Sequence, residues 1–146
     1  MSKTEKAIEF FSDNYNCSQA VFTAFAPDFG INENVSLKIA CAFGAGMGRQ
    51  QHTCGAVTGA LMALGLKYGK GLNDENSKKA ETYAKTIEFM NEFKKRNGSI
   101  NCKELLQGLN MNDPVESKII NDKGLFDTSC VKYVEDATEI VEKLIK

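Results

Sequence analysis

Four of the five cysteines each follow a residue that caps helices well, in Asn16-Cys17, Thr53-Cys54, Asn101-Cys102 and Ser129-Cys130. Side-chain oxygens of Asn, Thr and Ser accept hydrogen bonds from the free N–H groups of a first helical turn. Each of these thiols is thus expected at a helix start, where orphan N–H groups and the positive end of the helix dipole favour thiolate over thiol. Thiolates gathered at one site support two kinds of chemistry. They can hold an iron-sulfur cluster or another metal, or they can cycle between dithiol and disulfide, one attacking and another resolving the mixed disulfide. Cys17, Cys54, Cys102 and Cys130 are the candidate metal ligands, and Cys54 and Cys17 the candidate catalytic thiols, with Cys54 as the attacking group. Cys41 follows Ala40 near the end of an expected helix and reads as a core-packing residue. No Cys-x-x-Cys pair occurs, so neither a zinc ribbon nor a thioredoxin-type motif is supported.

Other residues around these thiols bear on the site. Gly55 and Gly59 lie four apart on one helix face, where missing side chains admit a cofactor or a neighbouring helix, so they are the candidate cofactor-binding positions. Gly44, Gly46 and Gly48 match neither dinucleotide nor phosphate-loop spacing, and no strand precedes them. His52, the single histidine, is a proton donor or ligand by type and a solvated residue by context. Arg49 is suited to pair with a thiolate or an anion, or to sit on the surface after a glycine turn.

The segment Thr53-Cys-Gly-Ala-Val-Thr-Gly-Ala, with Asn16-Cys17 and Gly44-Ala-Gly-Met-Gly-Arg49 ahead of it and Cys102 and Cys130 behind, resembles the C_GCAxxG_C_C family of redox-active proteins. The resemblance covers nearly the whole chain. It implies a redox role and assigns the four characteristic cysteines to Cys17, Cys54, Cys102 and Cys130. The residue before Cys54 is Thr rather than Gly, while Cys54-Gly55-Ala56 and Gly59 are intact.

The elements that must position these residues are helical. The spacing predicts an all-α, single-domain helical bundle over residues 1–146, with about five main helices plus short ones. Expected helices run from about Lys3 to Ser12, from after Asn16 to Pro27, from Asn34 to Phe43, from Cys54 through Tyr68, from Asp74 to Arg96 and from Ser129 to Leu144. Short ones cover Cys102 to Gln107 and Pro114 to Ile120. In the third, Val35, Ile39 and Phe43 form the expected inward stripe, and in the fifth Ala80, Tyr83, Ile87 and Met90 do. A homodimer follows if that second stripe exceeds what one core can cover.

The 146 residues suit one domain, and 18 Lys plus Arg against 19 Asp plus Glu gives no surplus of positive charge for nucleic acid or anionic membrane. No secretion signal or membrane-inserting run is expected, which points to the cytoplasm, where thiols stay reduced. The leading expectation is a small redox protein with an unidentified redox partner. The alternative is a structural zinc or protein-interaction domain without redox activity.

Overall fold

In the computed structural model, which describes residues 1–146, the chain forms eight α-helices and no strand, only one isolated β-bridge. They are α1 (Lys3–Ser12), α2 (Cys17–Phe25), α3 (Glu33–Cys41), α4 (Gly55–Tyr68), α5 (Asn76–Asn97), α6 (Cys102–Leu105), α7 (Pro114–Asp122) and α8 (Ser129–Leu144). A 3-10 turn, Ala26–Phe29, surrounds Pro27, and Gly44–Met47 is a left-handed turn rather than a true helix. The all-α bundle is as expected, but the helix count is not. Seven helices have nine residues or more, because α3 and α7 carry their own side-chain caps at Asn32 and Asp113.

The core is organised around α2, in which every residue from Ser18 to Phe25 is buried. A capping box of Asn16 and Gln19 fixes where that helix begins. The small face of α4, with Ala56, Gly59, Ala60 and Ala63, lies against it. Val134, Ala137 and Val141 of α8 and Phe89 and Phe93 of α5 close the main core, as does Ala7 of α1. A second cluster of Cys102, Leu106, Met111, Ile120 and Leu125 lies under the loops that follow α6. No helix is long and apolar enough to cross a membrane.

Two inward stripes expected from spacing point elsewhere. On α3, Val35 and Ile39 are 40% and 45% exposed, while Ser36 and Ala40 are buried. Ala40 packs with Phe22 and Ala26, and that contact sets the rotation of the helix. Cys41 is therefore exposed, contrary to its expected place in the core. On α5, Tyr83 and Ile87 are each 60% exposed, because the stacked pair Phe89 and Phe93 turns the other face inward.

Candidate functional site

Cys17, Cys54, Cys102 and Cys130 all line one cavity of about 350 Å³. Its walls are mainly apolar, with Phe11, Tyr15, Leu106, Met111, Phe126 and Tyr133 among them. Arg49 is the one charged side chain on the wall, beside the polar Asn14 and Asn16. Cys54 and Cys102 are buried, and Cys17 and Cys130 are half-buried. Cys41 and His52 are exposed and line no part of the cavity.

Local structure explains how thiols so distant in the chain meet. The segment before α4 pairs with the segment before α6 through the antiparallel bridge of Thr53 and Asn101. Cys54 N–H donates to the Ile100 carbonyl at 2.7 Å, and Cys102 N–H to the His52 carbonyl at 2.6 Å. These two bonds hold both cysteines side by side. Buried Gln51 extends the seam, donating to the Leu109 carbonyl at 2.9 Å and accepting from Met111 N–H at 2.8 Å.

The capping arrangement holds for two thiols and differs for two. Asn16 caps α2 before Cys17, and Asn101 accepts from Lys103 N–H ahead of Cys102. At α4, however, Cys54 itself occupies the cap position and Thr53 lies outside the helix. The Cys54 side chain makes no capping hydrogen bond, so neither residue plays the part expected of a Thr oxygen. At α8 the cap residue is Thr128, not Ser129, and its side chain makes no capping bond.

Between α3 and α4 the backbone runs left-handed. Ala45, Gly46, Met47, Gly48 and Arg49 all have φ between +55° and +70°, and Gln51 has φ +57°. Gly46 is required there, since a Cβ would stand 2.5 Å from the Gln51 Cα. The turn brings Ala45 to the cavity wall with Cys17, where its backbone N–H favours the charged form of that thiol. A left-handed conformation costs an L-residue about 1–2 kcal/mol, so this run is upheld by its surroundings, including the Gln51 and Arg49 bonds to residues 109–112.

Electrostatically the four thiols are unequal. A hydrogen bond from the Cys54 thiol lowers Cys17 from 9.0 to about 7, against the opposing effect of burial, with backbone N–H groups of Ala45 and Ser18 adding to the lowering. The same bond, with burial, pushes Cys54 well above 9.0. Burial raises Cys102 to about 12, and the Cys17 charge adds to it. Cys130 also rises to about 12, first through burial and then through the Cys17 and Cys102 charges. Burial and the nearby thiols raise Tyr133, whose hydroxyl donates to the Leu105 carbonyl at 2.8 Å. Ionisation is thus favoured at Cys17 and disfavoured at Cys54, Cys102 and Cys130. No set of three or more His, Cys, Asp or Glu side chains is disposed to hold a metal ion.

The two glycines of α4 separate by environment. A Cβ on Gly55 would overlap the Cys17 sulfur, so this glycine makes room for the thiol and lines the cavity. A Cβ on Gly59 would stand 2.7 Å from the Ser18 carbonyl oxygen, so Gly59 serves the α2–α4 contact and does not line the cavity. The sequence reading missed the roles of Gln51 and of the backbone at Ala45. The glycine-rich segment signalled a sharp turn there, but nothing local tied it to residues 109–112.

The chain matches the family model described as "Putative redox-active protein (C_GCAxxG_C_C)" over residues 15–144. An uncharacterized protein of Archaeoglobus fulgidus is 27% identical over 157 residues, an alignment covering 100% of this chain and 97% of the relative. No solved structure matches.

Proposed function

Starting from the fact that the chain belongs to the C_GCAxxG_C_C redox-active family, we propose that Cys17 and Cys54 form a dithiol that exchanges with a disulfide substrate. The observation carrying this reading is that both thiols face one cavity, the Cys17 sulfur filling the space beside Gly55, with Cys17 lowered to about 7 and Cys54 raised. Cys17 then takes the attacking role first expected of Cys54. Its thiolate attacks one sulfur of the substrate disulfide, forming a mixed disulfide and releasing the other sulfur as a thiolate. Cys54 transfers its proton to that leaving thiolate and attacks the Cys17 sulfur. The substrate leaves fully reduced, and the two protein thiols end as a disulfide.

Iron-sulfur or other metal binding by Cys17, Cys54, Cys102 and Cys130 is the less supported alternative. All four line one cavity, but no group of three or more such side chains is disposed to hold a metal ion. A reducing cytoplasm would keep the dithiol in its working form.

Trapping tests the reading. Cys54→Ser should accumulate a mixed disulfide on Cys17 when treated with a small disulfide, because no resolving thiol remains. Cys17→Ser should form none at a comparable rate. Equal labelling of all five thiols, or a first adduct on Cys102 or Cys130, would contradict it.

A further inference from the structure

The charge and shape of the cavity indicate which disulfide would enter it, an inference that rests on the dithiol reading. A volume of about 350 Å³ places it at the small end of ligand pockets. Its aromatic and aliphatic walls would bury an apolar body, while no acidic side chain lines it. At its rim stands exposed Arg49.

That guanidinium is held in place without being neutralised. Its Nε donates to the Asn112 Oδ1 at 3.3 Å and one terminal nitrogen donates to the Met111 carbonyl at 3.1 Å. Asn112 returns a bond to the Arg49 carbonyl at 2.8 Å, which fixes the left-handed backbone beneath the side chain. Both acceptors are uncharged, no carboxylate pairs with the guanidinium, and the rest of its planar fork is left for a ligand. A carboxylate is the group that fork fits best, through two parallel charge-assisted bonds.

We propose that the cavity takes a small monoanionic disulfide with an apolar body, its carboxylate bound by Arg49 at the rim and its sulfurs meeting Cys17 below. Cys17 would open the ligand's S–S bond as a thiolate, and Cys54 would complete the two-electron transfer, giving up its one proton while the second comes from solvent. The ligand leaves as a dithiol carboxylate.

Lipoate and its neutral amide, lipoamide, are suitable probes, since both present the same dithiolane on an apolar chain and differ in charge. The reduced protein should react with lipoate about tenfold faster than with lipoamide, in keeping with one partly exposed Arg–carboxylate pair. Arg49→Gln should bring the ratio near unity, and Arg49→Lys should restore part of it. Octanoate, which has no sulfur, should slow alkylation of Cys17 in a saturable way. Equal rates with the two probes would overturn the anionic substrate class and leave the dithiol reading standing. Octanoate protection without exchange by either probe would support the anion site and remove the dithiol reading. Failure of protection and of exchange would overturn both.

Discussion

Cys17, the first residue of α2, and Cys54, the cap residue of α4, face one cavity and shift in opposite directions, Cys17 down to about 7 and Cys54 well above 9.0. Only one of the two can then hold a negative charge at low cost. This asymmetry distinguishes a working dithiol from two buried cysteines. It depends on Gly55, which leaves the space that the Cys17 sulfur fills.

The rate of Cys17 alkylation should follow a single ionisation near pH 7, where its thiol is lowered to about 7. Cys54→Ala removes the donor that stabilises the charged form, so the midpoint should move up toward the ordinary thiol value. Cys54→Ser keeps a hydroxyl donor and should move it less. Iodoacetamide kinetics against pH, read by mass spectrometry at Cys17, check the order.

Gly55→Ala and Gly59→Ala should separate chemistry from packing. The first forces the Cys17 sulfur aside and should slow its alkylation at neutral pH, because the bonds from Cys54 and Ala45 are lost. The second presses a methyl group on the Ser18 carbonyl and should cost about 1–3 kcal/mol of stability, with a smaller effect on the thiol. Urea unfolding and alkylation rates measured on the same samples distinguish them.

How much of this was legible in the sequence varies by residue. Capping chemistry located α2, α7 and the end of α5, since Asn16, Asp113 and Gly98 act through neighbours a few positions away. It also selected four thiols that share one cavity. It could not reveal that Cys54 replaces Thr53 as the cap, because that depends on the pairing of residues 51–54 with 100–103. The rotations of α3 and α5 were hidden for a similar reason. Val35, Ile39, Tyr83 and Ile87 have helical spacing, yet Ala40 and the pair Phe89 and Phe93 find better partners across the bundle.

Ala45→Gly should stabilise the protein by roughly 1 kcal/mol, since glycine accepts the left-handed backbone that Ala45 adopts at φ +55°. Thermal unfolding of the reduced protein measures this. A loss of stability would mean that the Ala45 methyl group contributes more by packing than its backbone costs.

Alkaline pH should unfold the protein through its buried thiols. Cys102 and Cys130 ionise near 9.0 when unfolded but only at about 12 when folded. Raised folded values give a contribution that is full below the unfolded pKa and lost as pH rises through the folded one. Stability should therefore fall from about pH 9 upward, and Cys130→Ala should flatten the decline. Urea titrations at a series of alkaline pH values test the slope.

The most direct test of the central claim is a peptide map of the reduced protein after reaction with one equivalent of a small disulfide. The account predicts two thiols lost and one internal disulfide, Cys17–Cys54, with Cys41, Cys102 and Cys130 still free. A disulfide joining any other pair, or no internal disulfide while the small disulfide stays intact, would contradict it.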